Sequence, residues 1–192
     1  MKTFDADALS KLRPLLRRHL PDEIEAGGLR RACVVIPLVP EGATYSLLFS
    51  QRSRNLNVHG GQISFPGGSA HEGETLEDAG LREMQEEVGV PAVSVELIGR
   101  MDDVVTRTGF IVAPFVGVLK EKPAYVLQSS EVDEVFEVPV NALFRPGVPE
   151  IRYLMYQGGR YPSYSYECEG VTVWGLTGRI LKSFLDVVRL TL

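Results

Sequence analysis

The 192-residue sequence contains only two cysteines and one tryptophan. Cys33 and Cys168 lie far apart and form no C-x-x-C pair, so neither a thiol redox motif nor a cysteine-rich metal site is indicated. No apolar run approaches the ~20 residues of a membrane-spanning helix, and the N-terminus lacks the apolar core of a signal peptide. These absences predict a cytoplasmic protein with reduced cysteines and no membrane partner.

Positive charge is also scarce, because 20 Lys and Arg residues face 25 Asp and Glu residues and give a net charge of −5. A phosphate backbone binds clustered positive charge, so this balance argues against a nucleic-acid partner. The length fits one domain at about 100–200 residues per domain. We therefore expect a single domain over 1–192, with 1–28 as a helical extension and a small molecule as the partner. The composition does not distinguish a monomer from a homodimer.

The apolar pattern predicts helices at the start, middle and end of the chain. The first runs from Asp5 to about Leu20, with a kink or a break at Pro14. The second, Glu74–Val88, is followed by Gly89 at a favourable helix C-cap, and the last covers about Thr177–Leu190. β-rich runs are predicted at 32–39, 45–50, 63–65, 93–101, 110–119, 134–138, 151–156 and 171–176. This order indicates a layered α/β protein with a mixed sheet.

The middle helix carries three glutamates near its C-terminus, where the helix dipole disfavours carboxylates. At 100° per residue, Glu87 lies 40° to one side of Glu83 and Glu86 lies 60° to the other, so the three share one face. Arg82 is spaced to pair with Glu86 at i,i+4. The clustered carboxylates favour a divalent cation, and oxygen ligands suit Mg²⁺ or Mn²⁺. The alternative is a solvated acidic helix face.

Residues 68–90 match the signature of the Nudix hydrolases: Gly, five residues, Glu, seven residues, Arg-Glu, apolar, any, Glu-Glu, any, Gly, apolar. The resemblance implies an α/β/α sandwich around a mixed sheet and metal-dependent hydrolysis of a nucleoside diphosphate linked to a further group. It also implies that Glu83, Glu86 and Glu87 bind the metal, with Glu83 and Glu87 as the preferred pair. Glu74 and Arg82 would orient the loop and helix, and the carbonyl of Gly68 is a further candidate ligand.

The segment before this box is similar to the motif of the coenzyme A pyrophosphatase branch of the family. The motif reads Leu-Leu-Thr-x-Arg-Ser/Ala, three residues, Arg, three residues, Gly, three residues, Phe-Pro-Gly-Gly. The sequence departs from it at Phe49, Ser50 and Asn57, where Leu, Thr and Arg are expected. Basic side chains here suit a ligand with several phosphates. The candidate substrate-binding residues are Arg52, Ser53, Arg54, His59, Gly61, Phe65 and Gly67.

The resemblance therefore predicts hydrolysis of coenzyme A or its derivatives to 4′-phosphopantetheine and adenosine 3′,5′-bisphosphate. A Nudix hydrolase for another diphosphate, such as ADP-ribose, and a non-catalytic ligand sensor remain alternatives. The box glutamates would be committed to metal, so a residue elsewhere would accept the proton from water. Glu131, in a polar stretch after Gln128, is the candidate, and Glu134 is a weaker one. Both also fit ordinary surface acids.

Overall fold

A mixed β-sheet forms the centre of the computed structural model, which describes residues 3–56, 60–106, 108–156 and 158–192. The helices are α1 (Ala6–Arg18), α2 (Leu76–Val88) and α3 (Gly175–Arg189), with short 3₁₀ helices at Ala92–Ser94 and Val140–Phe144. The strands are β1 (Arg30–Glu41), β2 (Thr44–Arg52), β3 (Ile63–Ser64), β4 (Gly67–Ser69), β5 (Val95–Arg100), β6 (Val104–Val105), β7 (Phe110–Leu119), β8 (Val132–Pro139), β9 (Glu150–Tyr156), β10 (Gly159–Cys168) and β11 (Val171–Val173).

One parallel strand pair makes this sheet mixed. β1 pairs in parallel with β7 and antiparallel with β2 and β4. β2 pairs with β3 and β8, and β7 pairs with β5 and β6, all antiparallel. Among the described residues, β9, β10 and β11 form a separate antiparallel sheet of three strands. Val148–Pro149, just before β9, is a cis peptide bond.

Side chains alternate along the strands and build a hydrophobic layer on each face of the sheet. On one face, Val35 and Val39 of β1 pack in a cluster with Met84 and Val88 of α2. On the other face, Ile36 and Leu38 of β1 pack with Leu12 and Leu16 of α1 and with Leu181 and Phe184 of α3. The predicted α/β/α sandwich with helices at both ends of the chain is confirmed.

The ends of α2 are set by the capping residues around it. The Thr75 hydroxyl accepts a hydrogen bond from the backbone N–H of Asp78 at 3.1 Å. Gly89 has φ of 75° and donates its N–H to the Gln85 carbonyl, which confirms the predicted C-cap. A side chain at Gly89 would also collide with Val126. The helix therefore stops where the chain turns into the next strand.

The structure differs from several of the sequence predictions. α1 is one helix with Pro14 on its exposed side, because its apolar face is held in the core; a break into two helices was wrong. Strands β4, β6 and β10 were not predicted. The predicted β-rich run at 171–176 ends earlier, at Val173, because Trp174 is the N-cap of α3 and is half exposed. No helix in the described ranges is long and apolar enough to span a membrane.

Candidate active site

Three carboxylates from two distant parts of the chain meet at the C-terminal half of α2. Carboxylate oxygens of Glu83, Glu87 and Glu131 all lie within 4.8 Å of one another. Glu83 and Glu87 share a helix face because they are four residues apart, and Met84 and Val88 fill the core on the other side. Glu131 is exposed and comes from the segment just before β8. Two carboxylates of the cluster thus stand on a helix and the third on a loop.

Glu87 is the buried member of this cluster, with only 2% of its surface exposed. Its Oε2 accepts a hydrogen bond from the backbone N–H of Gly67 at 3.2 Å, and its Oε1 lies 3.7 Å from the Arg52 guanidinium. Burial raises the pKa of the Glu87 carboxyl to about 7, and the nearby Glu83 and Glu131 charges add to that rise. The protein's own groups therefore do not fully compensate a negative charge at Glu87.

Two glycines allow β4 to lie directly against the carboxylates. A Cβ atom on Gly67 would overlap the backbone of Cys33 and Val34, and one on Gly68 would overlap the Glu83 carboxylate. The Gly68 carbonyl accepts a weak hydrogen bond from the Cys33 thiol at 3.5 Å, and burial raises the pKa of that thiol to about 11. Backbone polar groups thus reach the acidic cluster where any other residue would block it.

Arg82 organises a second set of acids beside the cluster. Its guanidinium binds Glu74 at 2.9 and 3.1 Å, Glu83 at 2.8 Å and Glu86 at 2.9 Å, and it donates to the Ser69 carbonyl at 3.1 Å. The hydrogen bonds from Arg82 lower the pKa of Glu74 to about 2. Arg82 therefore fixes the loop before α2 to the helix and holds one oxygen of Glu83.

The structure separates Glu86 from Glu83 and Glu87, the other two glutamates near the C-terminus of the helix. Its side chain is 58% exposed and is bound to Arg82, and it does not belong to the three-carboxylate group. Instead, Glu131 is the third carboxylate beside Glu83 and Glu87. The i,i+4 pair of Arg82 and Glu86 expected from their spacing is present.

The end of β2 and the turn that follows it, residues 51–54, lie next to Glu87 and Glu131. The register between β2 and β8 shifts at Gln51 and Arg52, and the N–H of Ser53 donates to the Glu131 carbonyl at 2.7 Å. Ser53 is fully buried, whereas Arg54 is exposed. Gly61 has φ of 76° and donates its N–H to the Arg52 carbonyl, which closes this loop. Within the described part of this segment, the Arg52 guanidinium reaches the acidic cluster.

Of the predicted substrate-binding residues, Phe65 is buried, as Ser53 is. Phe65 is 3% exposed and stacks on Phe49 with a centroid distance of 4.7 Å, so it orders the loop from inside the core. His59 lies outside the described residues, as does Asn57, the position at which the branch motif has Arg. Gln128 was missed as a site residue because its contribution is made by its backbone, which donates to the Glu87 carbonyl at 3.1 Å.

The donor set fits a divalent cation. It consists of carboxylate and backbone oxygens, the ligand type that Mg²⁺ and Mn²⁺ prefer. The raised pKa of Glu87 indicates a buried carboxylate whose ionised form lacks a compensating positive charge. A cation bound by Glu83 and Glu87 would supply that charge.

Comparison with known proteins identifies the family of this chain. Residues 28–157 match the NUDIX domain, so the chain belongs to the Nudix family. It is 38% identical over 154 residues to an uncharacterized Nudix hydrolase, NudL, of Citrobacter koseri, with 80% of each chain covered. It is also 36% identical over 172 residues to the Klebsiella pneumoniae protein of that name, covering 89% of this chain and 86% of the relative.

Solved structures support the fold. A MutT/nudix family protein from Enterococcus faecalis aligns with a TM-score of 0.52 and 18% identity, covering 94% of this chain and 69% of that one. A Nudix hydrolase from M. smegmatis, RenU, gives a TM-score of 0.51 and 21% identity, covering 59% of this chain and 73% of that one. Nudix hydrolases generally use divalent metal ions and act on small nucleoside diphosphate compounds, which agrees with the chemistry of the acidic cluster.

Proposed function

We propose that this Nudix hydrolase is a divalent-metal-dependent pyrophosphatase of coenzyme A or its derivatives. The products would be 4′-phosphopantetheine and adenosine 3′,5′-bisphosphate. The observation that carries the proposal is the meeting of Glu83, Glu87 and Glu131 beside the Arg52–Gly68 segment, whose sequence resembles the coenzyme A branch. We further propose that 1–192 acts as one Nudix domain in the cytoplasm.

Glu83 and Glu87 would hold Mg²⁺ or Mn²⁺, with the carbonyl of Gly68 as a further ligand. When bound, the ion supplies positive charge for the diphosphate oxygens and lowers the pKa of a water molecule. Arg82 keeps the Glu83 carboxylate in place, and the Gly67 N–H does the same for Glu87. Glu86 is a less favourable ligand because its side chain is 58% exposed and lies outside the three-carboxylate group.

Arg52 would bind a phosphate of the substrate next to the cleaved bond. Its guanidinium lies 3.7 Å from a Glu87 oxygen and is partly exposed, so it can exchange the carboxylate for a phosphate oxygen. Arg54 is exposed nearby and provides a second positive charge. Coenzyme A carries a 3′-phosphate besides its diphosphate, and Arg52 beside the acidic cluster, with the exposed Arg54 two residues further on, suits such a polyanion.

Glu131 would accept the proton from the attacking water. Its carboxylate lies within the cluster yet is exposed, so water can reach it while Glu83 and Glu87 hold the cation. We expect Glu131→Gln to lower kcat by about 100- to 10,000-fold and to leave metal affinity intact. If the variant keeps most of its activity, another group accepts the proton.

Incubation of the pure protein with Mg²⁺ or Mn²⁺ and a panel of diphosphates, followed by mass analysis of the products, tests the substrate. The panel would contain coenzyme A, an acyl thioester of it, its disulfide, ADP-ribose, a dinucleotide and a nucleoside triphosphate. We expect the highest kcat/KM for a coenzyme A compound and loss of turnover with EDTA. A kcat/KM about 100-fold higher for ADP-ribose or the triphosphate would overturn the substrate assignment.

A further inference from the structure

Asp133, an exposed aspartate two residues after Glu131, binds the turn that follows Arg52. Its Oδ2 accepts a hydrogen bond from the backbone N–H of Arg54 at 3.0 Å. Its carboxylate also accepts a hydrogen bond from the side chain of Ser53, and these two bonds lower the pKa of Asp133. One carboxylate therefore joins two segments that lie far apart in the sequence.

The same two segments are joined by a backbone contact at Glu131 itself. The Ser53 N–H donates to the Glu131 carbonyl at 2.7 Å, and Val132, which is buried, pairs with Arg52 across the irregular end of the sheet. The Glu131 side chain is exposed, whereas the neighbouring Val132 is buried. Its position depends on how firmly its backbone is held by the Ser53 turn.

The opposite end of the Glu131 segment is tied to α2. The Gln128 N–H donates to the Glu87 carbonyl at 3.1 Å, and the Gln128 carbonyl accepts from the N–H groups of Glu131 and Val132 at 2.8 and 2.9 Å. The segment thus runs from a fixed point on the helix to the Ser53 turn. If the second attachment loosened, Glu131 would swing about the first one.

We propose that Asp133 is a positioning residue that fixes Glu131 against Glu83 and Glu87 by binding the Ser53–Arg54 turn. The inference rests on the proposed function in one respect, the role of Glu131 in catalysis. It assigns the Ser53–Arg54 part of the upstream motif a second task besides substrate binding. The turn that presents Arg52 to the substrate also holds the group that accepts the proton.

The test compares Asp133→Ala, which removes the acceptor, with Asp133→Asn, whose amide oxygen can still accept the Arg54 hydrogen bond and whose amide group can still pair with the Ser53 hydroxyl. Asp22→Asn, at an exposed aspartate after α1, controls for loss of one negative charge. Two kinds of measurement are made on each protein: backbone hydrogen exchange at 53–54 and 128–133, and steady-state kinetics that give kcat and KM for the best diphosphate substrate. Melting temperatures accompany both. Asp133→Val, a stronger strand former without an acceptor, replaces the alanine variant if that variant is unstable.

We expect Asp133→Ala to speed hydrogen exchange at both segments by about tenfold, because two hydrogen bonds to a charged acceptor are lost. We expect kcat to fall about tenfold with KM within about twofold, since a displaced catalytic group affects the chemical step. Asp133→Asn and Asp22→Asn should stay within about twofold of the wild type in all quantities.

Unchanged hydrogen exchange in Asp133→Ala would overturn the proposal, and so would faster exchange with unchanged kcat. A rise in KM alone would mean that Asp133 acts in substrate binding. Impairment of Asp133→Asn as large as that of Asp133→Ala would mean that the charge of Asp133, and not its hydrogen bonds, causes the effect. A wild-type protein that is inert on all diphosphates would contradict the proposed function. Hydrogen exchange would then still decide whether Asp133 holds the turn to the Glu131 segment.

Discussion

Asp103 and Glu87 are both buried carboxylates, and the protein surrounds them very differently. Their side chains are 0% and 3% exposed. Asp103 binds the guanidinium groups of Arg31 and Arg100 and accepts a hydrogen bond from the Ile24 N–H at 3.0 Å. In the described part of the chain, Glu87 has one backbone N–H at 3.2 Å and one guanidinium at 3.7 Å. Asp103 is fully paired within the fold, whereas Glu87 is not.

This difference indicates two uses of a buried charge. A buried carboxylate is tolerated when nearby cations and hydrogen bonds replace its hydration. Asp103 meets that condition and ties the segment after α1 to the sheet, which is a structural role. Glu87 would meet it only when a cation binds beside Glu83. Removing each carboxylate, and measuring stability and activity separately, tests whether Asp103 and Glu87 have these different roles.

Asp103→Ala should give the largest loss of stability. It would leave Arg31 and Arg100 without their shared partner, and breaking a buried ion pair costs about 3 kcal/mol of unfolding free energy. Denaturant unfolding measures the loss. Asp102→Ala, at the exposed neighbour that binds His19, is the matched control and should cost less than about 1 kcal/mol. Equal losses in the two variants would show that burial does not distinguish Asp103.

Glu87→Gln should lower activity rather than stability. We expect kcat to fall by at least ~100-fold because a ligand of the catalytic cation is lost, and Glu83→Gln should do the same. Steady-state kinetics at saturating Mg²⁺ measures the effect. Near-normal kcat in either variant would remove that residue from the metal site.

The stability of the metal-free Glu87→Gln protein should equal or exceed that of the wild type above pH 7. The pKa of Glu87 is raised from 4.5 to about 7 in the folded protein, so the folded state retains a proton that the unfolded state loses. The wild type therefore loses stability as the pH rises through this range, by about 3 kcal/mol in total. Glutamine carries no charge and removes this pH dependence.

Much of this site follows from helix geometry, and the rest depends on tertiary contacts. The i,i+4 spacing places Glu83 and Glu87 on one face, and Gly89 predicts where α2 ends. The same geometry leaves Glu86 60° away, where Arg82 captures its carboxylate. The proximity of Glu131 to the helix depends on the pairing of β8 with β2, which local patterns do not encode.

Other features were missed for identifiable physical reasons. β4 consists of Gly67, Gly68 and Ser69, residues with little strand propensity, and it forms because only glycine fits against β1 and Glu83. β10 contains Pro162 and many tyrosines, so its pattern does not alternate clearly between apolar and polar residues. Asp103, which lies between β5 and β6, has no sequence signal, because its partner Arg31 comes from β1, far away in the sequence.

Glu86→Gln should have the smallest effect of these substitutions. Glu86 is mostly exposed and binds Arg82, which keeps its bonds to Glu74 and Glu83 in the variant. Loss of one exposed ion pair changes kcat by less than about fivefold. Steady-state kinetics beside Glu83→Gln, which removes the same charge from the same helix, measures the contrast. A fall of about 100-fold would make Glu86 a ligand of the cation and end the distinction between the two glutamates.

Proton release on Mn²⁺ binding tests most directly whether Glu87 is a carboxylate that requires a cation. Calorimetric titration in buffers of different ionisation enthalpy counts the protons released. With a pKa of about 7, Glu87 is largely protonated at pH 6 and must lose its proton to bind the ion. We predict release of about one proton at pH 6, close to none at pH 9, and none at either pH for Glu87→Gln. Mn²⁺ binding to the wild type without proton release at pH 6, or no binding at all, would contradict this account.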